Sequence, residues 1–405
     1  MSKPTLKTIA SGVYALEWAE FQLSAHINRV RSSHDTVSAE VLIRSGAPGL
    51  QGSHLHQARL NLTSTTARKT LAKHLQEEYA NIAPWSAVVE QIAVLVLTHY
   101  RAGEPILELA NLPPQERLEY RLEPFLLDKD PTLIYGKGGT GKSTLASFFA
   151  VVLDYLVDVQ GMKAEPGRVL YLDYEAGPYE LKDRLDGIKR GLGIEAGLST
   201  LYRFCYQPIV ADIEEIQAAV AENDIALVIV DSVGPACGGE PENAQVVLDY
   251  FRALRSLRIA TLSIDHVAKD KTEPFGSVYK FNMARSVWEV RGTQEENSDE
   301  MHVGLYHRKL NSGKRRMPQG FRVSFKDEAI RFAREDVREV PELAQGTSIN
   351  SRVLHALRNG ALSAAIISDE IESDERQVAK ALSHHLTKGK VTKIGERWGL
   401  AAENL

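Results

Sequence analysis

At 405 residues the chain is long enough to bury two or three separate cores, and its 43% hydrophobic and 25% charged content excludes a fibrous or disordered protein. A net charge of −5 excludes attraction of polyanions by the chain as a whole, so any nucleic-acid contact must come from a local basic face. Two cysteines, Cys205 and Cys237, exclude a disulfide framework and a cysteine metal site, which fits a reducing cytoplasm.

Residues 1–12 lack the apolar core of a signal peptide. The most apolar helix candidate, 87–100, carries Glu90 and Gln91 and is too short to cross a bilayer. A cytoplasmic chain with no membrane partner is expected. From 13 to 45 the pattern predicts a hairpin of long strands. Phe21, Leu23, Ala25 and Ile27 alternate with polar residues, as do Val37, Ala39, Val41 and Ile43 apart from Leu42, and 31–35 is turn-like. A short strand at 58–62 and helices at 66–79 and 86–101 complete a small α+β module over 1–110. The stretch 111–127, with Pro113 and Pro114, reads as a connector.

A second region, 119–334, alternates apolar runs with amphipathic helices. The order is 132–135, helix 143–156, 168–172, helix 179–192, 226–230, helix 244–257 and 259–264. Strands without internal alternation, separated by helices, predict a mostly parallel sheet covered on both faces, hence an α/β domain. The β-rich stretches 301–306 and 321–325 are expected to extend that sheet. A linker at 335–346 then leads to a compact end over 347–405.

Gly136, Lys137, Gly138, Gly139, Thr140, Gly141, Lys142 and Ser143 match G-x-x-x-x-G-K-[ST] at every fixed position, between a buried strand and a helix that Thr144 continues. The glycines let the backbone fold around an anion and turn its N–H groups inward. Lys142 is placed to reach the β- and γ-phosphates of ATP, and Ser143 to offer its hydroxyl to Mg²⁺. The helix adds the positive end of its dipole. Asp231 ends the apolar strand 226–230, at the ligand-binding edge of such a sheet, where it fits the Walker-B role toward Mg²⁺. Ser232 follows it, so the acid that orients the attacking water must come from elsewhere. Glu175 follows the strand 168–172, a placement that resembles the RecA-like group, and the resemblance implies Glu175 as the catalytic base with Asp173 as the alternative.

This pattern resembles the RecA-like group, and within it the RepA-type hexameric helicases related to the DnaB replicative helicases, over 125–325. The resemblance implies a RecA-like ATPase that acts on DNA as a ring-forming helicase or translocase of a plasmid, phage or other mobile element. ATP and Mg²⁺ would be its cofactors. Its partners would be DNA, five further copies in a hexameric ring, and replication or recombination proteins. A recombinase-like or loader ATPase, or a DNA-binding regulator switched by ATP, is the alternative. Asp265-His266-Val267-Ala268-Lys269 resembles the family's strand–His–x–x–Lys signature, which makes His266 the γ-phosphate sensor. Gly276, Ser277, Asn282, Ala284, Arg285 and Trp288 resemble the loop-plus-helix segment facing the central channel. Lys280 and Arg285 are then candidates for DNA contact or for a subunit interface, or they lie on a solvated basic helix face. His307-Arg308-Lys309-Leu310-Asn311 resembles the strand that sends an arginine finger to a neighbour's γ-phosphate, with Arg308 and Lys309 as the candidates. Lys314, Arg315 and Arg316 lie close by. The module over 1–110 departs from the helical collar of DnaB relatives, so unwinding rests on the resemblance while ATP binding is read from the residues.

Residues 349–402 resemble a winged helix-turn-helix domain, with helices at 351–359, 363–371 and 374–388 and a hairpin at 390–394 and 397–400. In that family the third helix enters the major groove while the wing touches phosphates. Arg376, Gln377, Lys380, Ser383 and His384 on the helix, and Lys388, Lys390, Lys393 and Arg397 on the wing, become the candidate DNA contacts. Protein contact is the other role open to such a module.

Overall fold

The computed structural model describes residues 3–10, 12–48, 50, 53–103, 106–112, 119–155, 161–240, 242–267 and 278–401. Its chain clusters into two units, one built from residues 1–117, 207–225 and 252–258 and the other from the remainder.

The first unit is an antiparallel sheet with strands in sequential order: β1 (Thr5–Ala10), β2 (Val13–Trp18), β3 (Leu23–Ser33), β4 (Thr36–Ser45) and β5 (Ser53–Asn61). The alternation at 23–27 and 37–43 buries Leu23, Ala25, Ile27, Val37, Ala39, Val41 and Ile43 on one face. That face packs on α1 (Thr65–Glu78) and α2 (Trp85–Ala102), through Leu71, Leu75, Trp85, Val88 and Ile92. Ser64 starts α1 by accepting a hydrogen bond from the Ala67 N–H. Three details depart from the sequence reading. Phe21 lies in a short 3₁₀ turn rather than in the strand, β5 is longer than the run at 58–62, and β1 was not anticipated. Strand β1 reads as mixed polar, and only its pairing with β2 makes it a strand.

The second unit opens with β6 (Tyr120–Glu123), β7 (Leu126–Leu127), β8 (Pro131–Gly136) and α3 (Lys142–Tyr155). It continues through β9 (Lys163–Ala164), β10 (Arg168–Asp173), α4 (Pro178–Leu192) and β11 (Leu201–Phe204). The next helix, α5 (Ile209–Glu222), clusters with the first unit, where the Arg29 N–H and guanidinium donate to Glu214 and Glu215. Sequence reading missed α5. Then follow β12 (Ile225–Asp231), α6 (Val233–Cys237), α7 (Ala244–Ser256), β13 (Ala260–His266), α8 (Tyr279–Met283), β14 (Ser286–Thr293), β15 (Glu300–Leu310), β16 (Gln319–Lys326) and β17 (Ala329–Glu335).

Nine strands form one mixed sheet in the order β11-β10-β12-β13-β8-β14-β15-β16-β17. The parallel pairs are β10–β11, β12–β13, β13–β8 and β8–β14, and everything beyond β14 is antiparallel. The expected parallel sheet and its extension by 301–306 and 321–325 are both present. Trp288, read as part of a helix, lies instead on β14 beside the phosphate strand. Helix α3 is apolar nearly all round and is buried accordingly, with the Phe148 ring stacked on Phe332 at 3.9 Å and Phe149 on Phe125 at 4.8 Å. Such pairs add about 0.5–1.5 kcal/mol each beyond area burial. This packing holds the first turn of α3 against the end of β8.

A short helix α9 (Pro341–Ala344) lies in the linker. It is followed by α10 (Ile349–Ala356), β18 (Leu362–Ser363), α11 (Ala364–Glu370), α12 (Glu375–Thr387), β19 (Val391–Ile394) and β20 (Arg397–Leu400). The three strands make a small antiparallel sheet in the order β18-β20-β19. Val353, Leu357, Ile367, Val378, Leu382 and Val391 form the core of this module. Asp374 caps α12 by accepting from the Arg376 N–H.

Candidate active site

Strand β8 lies between two parallel neighbours, so its C-terminal end opens on the same edge as theirs. Register puts His266 of β13 level with Gly136, and Ile264 level with Asp231 of β12. The phosphate loop therefore emerges beside the residues that end β10, β12 and β13. The loop itself has the conformation its glycines permit. Gly139 and Gly141 have φ of +75° and +82°, and a Cβ on Gly136 would sit 2.2 Å from the Val290 carbonyl oxygen. Thr140 closes the loop by donating to the Lys137 carbonyl at 2.9 Å.

Lys142 is buried, and its ammonium donates to the carbonyl oxygens of Gly136 (3.0 Å) and Lys137 (2.7 Å). Burial pulls its pKa below the ordinary lysine value, against the opposing attraction of Asp231, Asp265 and Glu175. Those three carboxylates are near enough to act on its charge.

Asp231 is buried at the end of β12. Its Oδ2 accepts a hydrogen bond from the Tyr171 hydroxyl at 2.6 Å. Burial raises the Asp231 carboxyl above the usual range, while hydrogen bonds from Tyr171 and Ser143 act in the opposite direction. The Ser143 hydroxyl and the Asp231 carboxylate are thus adjoining hard oxygen donors, the set that suits a hydrated Mg²⁺. Among the described residues no group of three or more His, Cys, Asp or Glu forms a denser metal site.

The two acids at the end of β10 have separate jobs. Asp173 is buried, and its Oδ1 accepts from the N–H groups of Glu175 (2.9 Å) and Ala176 (3.0 Å) while Oδ2 accepts from Tyr202 at 3.1 Å. It shapes the turn that presents Glu175. The Glu175 side chain is half exposed, with Oε1 accepting from the Ser232 hydroxyl and lying 3.6 Å from His266 Nε2. The neighbouring His266 is the main reason its carboxyl falls below the usual range, and the hydrogen bond from Ser232 acts in the same direction. Glu175 is held ionised at the open edge, which is what a water-orienting base requires. Sequence reading missed Ser232 and Tyr171. Ser232 was noted only as a non-acid, and the position of Tyr171, one turn of the pleat before Asp173, was the available signal.

The remaining candidates divide. Lys269, Gly276 and Ser277 lie outside the described residues. Lys280 is corrected as a DNA contact. It is completely buried, and its ammonium lies 3.0 Å from both oxygens of Asp265. Arg285 is exposed and 3.5 Å from Asp130. Lys309 donates to the carbonyls of Phe281 (2.8 Å), Asn282 (2.6 Å) and Ala284 (2.7 Å), so it caps the C-terminal end of α8. Arg308 pairs with Glu289 at 2.5 Å, donates to the Gly346 carbonyl at 3.1 Å and lies over the Tyr306 ring. Both candidate fingers are thus bonded within their own chain. Neither is presented as a free cation, because residues on α8, β14 and the linker offer carbonyls and a carboxylate at the right distance.

In the C-terminal module Arg376, Gln377, Lys380, Ser383 and His384 are exposed along α12, and Lys388, Lys390, Lys393 and Arg397 are exposed on the hairpin side. Lys393 stands 5.5 Å over the Trp398 ring. His385, the neighbour of His384, is buried, with its Nε2 3.0 Å from the Asn350 carbonyl.

Residues 105–272 match a protein family described as an AAA domain, a span that falls short of half the chain. Among solved structures the chain is similar to a KaiC-like protein of the hyperthermophilic archaeon Pyrococcus horikoshii. The two share 14% identity, with a TM-score of 0.40, over 54% of this chain and all of that one. No curated protein matches the sequence. The family match and the loop with its surrounding acids agree that this region is a P-loop ATPase domain. No helix among the described residues is long and apolar enough to cross a membrane.

Proposed function

We propose that the chain is a Mg²⁺-dependent ATP hydrolase acting on DNA, as a ring-forming helicase or translocase of the RepA type in replication of a mobile element. One observation carries the hydrolytic part: Lys142 and Ser143 from the start of α3, Asp231 from β12, Glu175 from the turn after β10 and His266 from β13 converge on one sheet edge. Lys142 would exchange its two carbonyl partners for β- and γ-phosphate oxygens. Glu175 would orient the attacking water, and His266, 3.6 Å from Glu175, would register the γ-phosphate. A Mg²⁺ held by Ser143 and Asp231 would neutralise charge that develops on the phosphates.

The DNA part rests on the C-terminal module. Its order of helix, short strand, two helices and hairpin supports the winged-helix reading, with α12 as the recognition helix and the β19–β20 hairpin as the wing. Exposed cations on both elements, in a chain of net negative charge, favour DNA over a protein partner. The ring rests on the family resemblance.

Steady-state ATP hydrolysis with and without single- and double-stranded DNA tests this reading, together with particle mass in a non-hydrolysable ATP analogue. Strong stimulation by DNA and assembly on nucleotide are expected. Hydrolysis indifferent to every nucleic acid would remove the motor. The intrachain bonds of Arg308 and Lys309 favour a second reading, a DNA-binding regulator switched by ATP. In that case hydrolysis is slow and strand displacement absent, while DNA affinity changes with nucleotide.

A further inference from the structure

The acids and the histidine that face the γ-phosphate all lie on one side of β8, on β10, β12 and β13. A triphosphate seated in the loop with its γ end toward them must send its nucleoside to the other side, over β14. A cavity of about 310 Å³ lies there. One wall is the phosphate loop itself, through Gly136, Lys137 and Thr140, and another is the end of β14, from Glu289 to Gly292. The volume is at the lower end of the range for small-molecule sites.

Val267, which follows β13, also touches the cavity, and the outer wall comes from the linker. Glu342 and Leu343 of α9 line the same cavity. This stretch of linker is tied down beside it by several contacts. The Tyr306 hydroxyl donates to the Leu343 carbonyl and Arg308 to the Gly346 carbonyl, while Val337, Val340 and Leu343 pack with Tyr306 in a small core of their own. Gly346 lies so close to the Tyr306 ring that a Cβ there would come within 2.4 Å of it. The segment is built onto β15 rather than draped over it, and it leads directly into α10 of the C-terminal module.

We propose that this cavity is the nucleoside site, with the linker as its outer wall, so that the base and ribose of bound ATP are read by the segment that carries the C-terminal module. The proposal rests on the ATPase reading above. The walls formed by β14 and the linker would flank the base. The Glu342 carboxylate, exposed at the rim, is an acceptor suited to an amino group or a ribose hydroxyl. The phosphates alone would leave the linker unaware of occupancy.

The test uses the full chain and two probes, Mg-ATP and Mg-tripolyphosphate, with affinities measured by calorimetry. Glu342→Trp should fill the cavity and weaken ATP about tenfold or more while leaving tripolyphosphate within about twofold, and Glu342→Ala should give a smaller loss of the same sense. In wild-type protein, amide exchange at Gly346 and Thr347, which donate to the Leu343 and Ala344 carbonyls, should slow with ATP and not with tripolyphosphate. ATP affinity unchanged in Glu342→Trp, or equal losses for both probes, overturns the nucleoside site. Failure of wild type to bind either probe overturns the ATPase reading instead.

Discussion

The cations of the phosphate-binding edge and those of the C-terminal module occupy opposite environments. Lys142 and Lys280 are buried, each with its ammonium held by named oxygens at 2.7–3.0 Å. Arg376, Lys380, Lys390, Lys393 and Arg397 are exposed. Removing a charge from water costs several kcal/mol, so an interior cation must be matched individually, and losing one partner strands the other. Exposed cations are screened over about 8–10 Å and act on a polyanion only as a group. The first arrangement suits chemistry at fixed atoms, the second suits docking on a repeating backbone.

Removing the one buried-edge acid that faces solvent gives the largest expected effect. Glu175→Gln should lower kcat by about 10²–10⁴-fold, with ATP affinity changed little, as measured by phosphate release and calorimetry. If turnover survives, Glu175 is not the base. Lys280→Met strands the Asp265 carboxylate in the interior and should cost about 3–5 kcal/mol of stability in urea unfolding, an outcome no exposed lysine would share.

A titration sharpens the same contrast. His307 is buried, stacked on Trp288 at 4.1 Å with its Nδ1 accepting the Arg316 N–H at 2.9 Å, and burial pushes its pKa down to about 4. Unfolded, it would titrate near its ordinary value of about 6.5. Between those values the unfolded chain binds the extra proton. His307 therefore contributes its full stability above about pH 6.5 and loses it as pH falls toward about 4, by up to about 3 kcal/mol. His307→Gln should flatten that part of the stability–pH curve. The smallest effect belongs to the exposed set. Replacing Lys390 and Lys393 together with alanine should weaken DNA binding modestly and reduce the salt slope of affinity by roughly 2, with hydrolysis in the absence of DNA unchanged. A slope that stays the same places the DNA elsewhere.

Much of the ATPase sheet was legible in advance, because buried parallel strands need continuous apolar runs and those runs stand out at 132–135, 168–172, 226–230 and 259–264. The antiparallel half was less so. Strand β14 carries Trp288, Glu289 and Arg291 in a mixed pattern, and its identity comes from pairing with β8 and β15. Helix α5 was missed although it contains Ile209 and Ile216 as buried contacts. Of the site, Lys142, Ser143, Asp231 and Glu175 were singled out from the sequence, whereas the Tyr171 and Ser232 hydroxyls that bond two of them were not.

The sequence by itself determined the phosphate loop, since eight consecutive residues carry all its backbone requirements and nothing distant is needed to bend them. It also determined that no acid directly follows Asp231, since Ser232 stands there, while the resemblance to the RecA-like group pointed to the end of β10. Only the tertiary structure decided which of two acids there faces the opening. Asp173 turns inward to bond the backbone and Tyr202, leaving Glu175 at the opening. It decided as well that Lys280 is interior, that Lys309 is a helix cap and that the linker abuts the phosphate loop. Whether a charge is available depends on which groups are folded around it, and that is settled by contacts between residues far apart in the chain.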